Sequence, residues 1–128
     1  MSSSSSSSSS HRAALIADDT AIARAAVVRQ LAADGVRCIE ASSAGAASAI
    51  DPTTLSCALL DLDLGDGNGV DVAVALRKGR ADLPVAFFTA GTTPTVLARA
   101  SALAPVFSKP DDLDRAIAWV KACAVPPA

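Results

Sequence analysis

Four short apolar runs, each closed by a polar residue, organise this chain. They are Ala13-Ala14-Leu15-Ile16-Ala17 before Asp18-Asp19, Cys57-Ala58-Leu59-Leu60 before Asp61, Val85-Ala86-Phe87-Phe88 before Thr89, and Val106-Phe107-Ser108 before Lys109. Such runs read as buried strands, and their alternation with helical patterns predicts β–α units and a parallel sheet. The first strand, 13–17, leads through Asp18-Asp19-Thr20 into a helix with an inward stripe of Val27, Val28 and Leu31, capped by Gly35. A second strand over about 36–40 and an alanine-rich helix over about 43–50 follow, the helix stopping before Asp51-Pro52. The third strand ends at Asp61, and the loop over 62–69 turns into a helix near 70–79. Leu83-Pro84 opens the fourth strand, and Thr93 caps the fourth helix with Pro94 in its first turn. After the fifth strand, Asp111 or Asp112 caps a last helix whose core stripe is Leu113, Ala116, Ile117 and Val120. Trp119 falls about 110° off that stripe, which predicts a half-exposed flank position. Five β–α units with no longer repeat predict one α/β domain built on a doubly wound, five-stranded parallel sheet.

Composition narrows the picture. A chain of 128 residues suits one domain. The formal net charge of −2 gives no electrostatic case for nucleic acid. No apolar run approaches the roughly 20 residues that cross a bilayer, so no membrane partner is expected. Cys38, Cys57 and Cys123 are an odd, widely spaced set without a CxxC pair, which reads as free thiols in a reducing, cytoplasmic compartment. The serine run before His11 cannot bury apolar surface, so residues 1–11 are expected to be a disordered tag or leader. The domain then spans 12–124, and 125–128 form a tail or the start of a linker.

In a parallel sheet the carboxyl ends of the strands share one edge, where ligands bind. That edge would gather Asp18, Asp19 and Asp61 with the Thr89 hydroxyl and the Lys109 ammonium. Taken singly, each has an ordinary structural explanation: a helix cap, a turn residue, a last strand residue, a solvated charge. Taken together they do not. Unit charges about 4 Å apart interact at roughly 4 kcal/mol for an effective dielectric near 20, so three crowded carboxylates call for a cation.

With these residues in this order, the chain resembles the receiver domain of two-component response regulators. The matching pieces are Asp18-Asp19 after the first strand, Leu59-Leu60-Asp61-Leu62-Asp63-Leu64 at the third, Thr89-Ala90 at the fourth and Lys109-Pro110 at the fifth. The resemblance covers about 13–124 and implies a flavodoxin-like (βα)5 fold with strand order 2-1-3-4-5. It implies a phosphoacceptor rather than an enzyme, with at most slow self-dephosphorylation. Asp61 would take a phosphoryl group from a phosphohistidine on a sensor histidine kinase or histidine phosphotransfer protein. Mg²⁺ would be held by Asp18, Asp19, the Asp61 carboxylate and the Asp63 backbone carbonyl. Lys109 would pair with Asp61 and then a phosphoryl oxygen, while the Thr89 hydroxyl and Ala90 amide would bind the others. Three carboxylates, one lysine and one Mg²⁺ sum formally to zero. The family also implies a cis Lys109-Pro110 bond and an output face on the fourth helix, fifth strand and fifth helix, for an effector domain or a homodimer.

The chain departs from the family at two positions. Val106 stands where an aromatic switch residue is usual, and alternation sends Phe107 to the opposite sheet face. Gly65 replaces a frequent proline, which predicts a looser loop. In the family the positions that tune phosphate lifetime map onto Asp63 and Gly91, and glycine offers no screen, so self-dephosphorylation that is moderate to fast among receivers, though slow beside an enzyme's turnover, is expected. Asp61-Leu62-Asp63 also resembles the haloacid-dehalogenase-type phosphatase motif, but there the nucleophile lies on the first strand and the acidic pair comes last. A calcium loop fails at Asp66 and Val72. A receiver-like interaction module without phosphorylation stays open.

Overall fold

The computed structural model describes residues 12–124; the expected leader 1–11 and tail 125–128 lie outside the described residues. Five parallel strands form one sheet: β1 (Ala13–Ala17), β2 (Cys38–Ala41), β3 (Leu55–Leu60), β4 (Val85–Thr89) and β5 (Val106–Ser108). Their order is β2-β1-β3-β4-β5. The helices are α1 (Ala21–Ala33), α2 (Ala44–Ser48), α3 (Gly69–Gly79), α4 (Pro94–Leu103) and α5 (Leu113–Ala124), with a 3-10 turn at Pro52–Thr54. The chain is thus a doubly wound, flavodoxin-like α/β domain. Among the described residues no helix is long and apolar enough to cross a membrane.

Strand alternation sorts the apolar side chains into two cores. Leu15, Ala17, Ala58, Leu60, Val85 and Phe87 meet Val72, Ala73, Leu76 and Ala100 on the α2–α3–α4 side. Ala14, Ile16, Leu59, Ala86 and Phe88 meet Val27, Leu31, Ala116, Ile117 and Val120 on the α1–α5 side. Val106 packs on the first core and Phe107 on the second, the opposed faces that alternation predicts. Trp119 is half-buried against the second core, on the flank of its helix.

Most element ends follow the predicted chemistry. Gly35, at φ +81°, closes α1 with its amide bonded to the Ala32 carbonyl and that of Val36 to Leu31, so the second strand starts only at Cys38. Thr93 accepts from the Val96 amide at 3.3 Å to cap α4. The cap on α5 differs from expectation. The Asp112 carboxylate turns back to accept from the Ser108 amide at 3.0 Å, so it braces the β5–α5 turn instead of the helix. The Lys109-Pro110 bond is cis.

α2 is short because glycine and alanine give it little to bury, and only Ala47 is buried. It is held from outside. Ser43 Oγ accepts from the Ala46 amide, while Asp66, on the loop after β3, accepts from the Ala44 amide at 2.7 Å and the Gly45 amide at 3.1 Å. These bonds favour the anion and hold the Asp66 carboxyl below its usual range, led by the Ala44 amide. A lowered folded pKa adds stability above the unfolded value near ~3.9 and loses it as pH falls through the folded one. Asp66→Asn should therefore lower the urea midpoint at pH 7, with the gap to wild type closing below about pH 4. Equal midpoints at pH 7 would show that this clamp adds nothing.

Candidate functional site

The parallel ladder continues one residue past three strands and sets the height of the site. The Asp18 amide donates to the Ala41 carbonyl at 3.0 Å, that of Asp61 to Ala17 at 2.9 Å, and that of Lys109 to Thr89 at 2.8 Å. Side chains from four separate strand ends therefore emerge at one level. Asp18, Asp61 and Thr89 are buried there, while Asp19 is exposed. The Lys109 ammonium lies between two carboxylates: it donates to Asp61 Oδ2 at 3.0 Å and makes a close bond to Asp18 Oδ2. It also sits 5.4 Å from the centre of the Phe88 ring. The pairing with Asp61 was expected from sequence. The pairing with Asp18 was not, because only the sheet register brings β5 across to β1.

Burial raises the Asp61 carboxyl above its usual range; Lys109 and the Asp63 amide pull it down without cancelling that rise, and Asp18 adds to it. Burial also works against the Lys109 charge, but bonds to Asp18 and Asp61 outweigh it and leave the ammonium more basic than usual. The remaining Asp61 oxygen, Oδ1, accepts from the Asp63 amide at 3.2 Å. The Arg24 guanidinium donates to the Asp18 carbonyl at 2.6 Å and pairs with Glu40 at 3.0 Å, which anchors the acidic turn to β2.

Asp18, Asp19 and Asp61 each present a carboxylate oxygen, and these oxygens lie within 4.8 Å of one another. An all-oxygen set this close fits a hard divalent cation such as Mg²⁺. Asp63 lies beside it. The bonds of its bridge to Asn68 are made by Leu62 and Leu64 with Gly69 and Gly67, so the bridge leaves the Asp63 carbonyl unused. The Thr89 hydroxyl donates to the Gly91 carbonyl and accepts from its amide, both at 3.3 Å, and Ala90 is exposed.

The loop after Asp61 is well bonded, contrary to the slack expected of Gly65. Gly65 adopts φ +80°, which proline, fixed near about −65°, cannot reach, so this loop takes a path that proline would forbid. Its amide donates to Asp63 Oδ1 at 3.1 Å. Gly69, the first residue of α3, lies so close to the Asp61 carbonyl that a Cβ there would collide with it. Sequence reasoning missed Asp66, Gly69 and Arg24. A glycine directly after the α3 cap Asn68 was the one available signal, since glycine at a helix start has no local benefit. An open cleft of about 430 Å³ adjoins the site between Asp63, Asn68, Gly91 and Val96.

The sequence profile of the response regulator receiver domain matches residues 14–121. The chain belongs to the response regulator receiver family. This receiver domain is similar to the non-phosphorylated HemR receiver domain of Leptospira biflexa, at 26% identity over 91% of this chain and 97% of that one, with a TM-score of 0.77. A CheY-like receiver protein from Methanospirillum hungatei shares the fold at 18% identity, covering 88% and 93% of the two chains with a TM-score of 0.74. So does a response regulator from Burkholderia pseudomallei with a phosphorylated aspartic acid, calcium ion and citrate, at 19% identity, 88% and 68% coverage and a TM-score of 0.70. No curated protein matches the chain significantly.

The receiver's acidic edge is held at a cost in stability, with opposite signs for its two partners. A carboxyl whose folded pKa is raised destabilises the fold as pH rises above the unfolded value. Asp61→Asn should therefore raise the urea midpoint at pH 7, and the gain should shrink as pH falls through the raised folded value and be nearly gone by about pH 4. Lys109→Met should lower the midpoint, through a loss of about 3 kcal/mol of stability, because Asp18 and Asp61 are left facing each other unpaired. Urea unfolding followed by Trp119 fluorescence measures both; an Asp61→Asn chain weaker than wild type would contradict the first.

Proposed function

We propose that this receiver domain carries a phosphoryl group on Asp61, taken from a phosphohistidine on a sensor histidine kinase or histidine phosphotransfer protein in the cytoplasm. The observation that carries the reading is the Lys109 ammonium bonded to buried Asp61 at the edge where Asp18 and Asp19 converge. The fold is one that bears a phosphorylated aspartate in the Burkholderia regulator.

In this reading an Asp61 oxygen attacks phosphorus, the new O–P bond forms, and the phosphohistidine nitrogen leaves with its electron pair. Lys109 moves its hydrogen bond from the Asp61 carboxylate to a phosphoryl oxygen. The Thr89 hydroxyl exchanges its Gly91 carbonyl partner for a second oxygen, and the Ala90 amide serves a third. Asp18, Asp19, the Asp61 carboxylate and the Asp63 carbonyl would hold Mg²⁺, which supplies charge neutralisation for the incoming phosphoryl group. This chain's own work is positioning and electrostatics, so the domain acts as an acceptor and not as a turnover enzyme.

Incubation with acetyl phosphate or phosphoramidate and Mg²⁺ should add about 80 Da to the intact mass, a gain absent in Asp61→Asn and without the metal. No gain with any donor would overturn the reading in favour of an interaction module, and steady hydrolysis of small phosphomonoesters would favour a phosphatase. Once formed, the phosphoryl group should be lost within minutes to an hour at neutral pH. Gly91 presents no side chain, nothing lies within 4 Å of where its Cβ would be, and the adjoining cleft admits water. A half-life of many hours with Mg²⁺ would contradict that expectation.

A further inference from the structure

Away from the acidic edge, the three cysteines are free thiols that all pack on the α1–α5 side of the sheet. The register sorts them. Cys38 and Cys57 both pair with Ala14, from opposite sides. With strands about 4.8 Å apart, their Cα atoms are separated by roughly 9.6 Å. That exceeds the ~7 Å beyond which two cysteines cannot be bridged without backbone movement. The Cys38 thiol donates instead to the Val36 carbonyl at 3.8 Å. Cys123 reaches the cluster from the other layer. It lies in the last turn of α5, on the same inward stripe as Ala116 and Val120, and packs on the core that contains Cys57. α5 packs chiefly on β3, the strand of Cys57, and not on β2, the strand of Cys38, so Cys123 meets the core beside Cys57.

We propose that Cys57 and Cys123 form an oxidation-sensitive thiol pair, which hydroperoxides convert to an intramolecular disulfide while Cys38 stays reduced. Exposure sets the order of events. Cys57 is fully buried and Cys123 is partly exposed, so peroxide meets Cys123 first. The neighbouring Cys57 thiol holds the Cys123 thiol below its ordinary range, whereas Cys123, with burial behind it, pushes Cys57 up. Nucleophilic thiolate is thus concentrated on the accessible partner.

The Cys123 thiolate attacks the O–O bond of the peroxide, is oxidised to the sulfenic acid and releases hydroxide, the peroxide being reduced by two electrons. Cys57 sulfur then attacks the sulfenic sulfur. The S–S bond forms, the S–O bond breaks, and the leaving oxygen departs as water with the Cys57 proton. The sulfurs must close to about 2.05 Å, and the movement can come from the final turn of α5, since helix ends fray. The product would tie the end of α5 to β3, the strand that carries Asp61 at its other end.

The test uses the full chain, fully reduced and freed of reductant, then treated with hydrogen peroxide, unfolded and alkylated with iodoacetamide. The reduced chain should take three labels, one on each cysteine. The oxidised chain should take one, on Cys38, and weigh about 2 Da less before labelling. Non-reducing peptide mapping should give a linked 57–123 pair that dithiothreitol reverses. Cys38→Ser should form the same link, and Cys123→Ser should keep Cys57 labelled after peroxide. The proposal fails if the oxidised chain still takes three labels, or if Cys123 proceeds to sulfinic acid with Cys57 still alkylatable. It also fails if the link runs through Cys38 or to a second chain.

Discussion

One ammonium group holds this site together. Lys109 stands between Asp18 and Asp61, two carboxylates that the sheet has already buried, and without it their repulsion would fall on the ends of β1 and β3. Those strands are adjacent and central, so that repulsion would act on the best-packed part of the molecule. The lysine arrives from the far edge strand, which makes the integrity of the whole sheet a condition for the charge balance. The arrangement is neutralised only in part, since two buried acids and exposed Asp19 face one lysine. That residual negative charge suits the edge to a cation.

Backbone crowding supports this balance from the other side. The loop after Asp61 must return across the mouth of the site to start α3, and Gly69 permits that by packing directly against the Asp61 carbonyl. Asp66 then fastens the same loop to α2, a helix with too little buried surface to anchor itself. Together they place Asp63 beside Asp61, with its amide on Oδ1. The loop after Asp61 and the second helix are therefore a single mechanical unit, built from one carboxylate and one missing methyl group.

Local features were readable in the sequence wherever the physics was local. Apolar runs gave the strands, the Gly35 and Thr93 positions gave helix ends, and alternation put Val106 and Phe107 on opposite faces. The shared carboxyl edge of a parallel sheet was enough to gather Asp18, Asp61, Thr89 and Lys109 at one level. Register and long-range bonds were not readable. The Lys109–Asp18 pair spans the sheet, the Asp66 clamp joins two loops, and the Asp112 carboxylate chose Ser108 over its own helix. Each depends on distances that only the assembled layers define.

In the proposed phosphoacceptor reading, the same physics separates the capture of a phosphoryl group from its readout. Capture needs only the rigid strand ends. Readout needs something free to move, and with Val106 in the aromatic's usual place there is no large ring on that face of β5 to swing. What remains on that side is α4, which buries only Ala100 along its ten residues. Few buried contacts mean a low cost of displacement. The Thr89 hydroxyl is bonded to the Gly91 backbone, on the loop that leads into α4. Drawing that hydroxyl toward a phosphoryl oxygen would pull on this loop directly, so the helix can respond through its backbone attachment. In the proposed phosphoacceptor reading the coupling element would be this lightly buried helix rather than a rotating side chain.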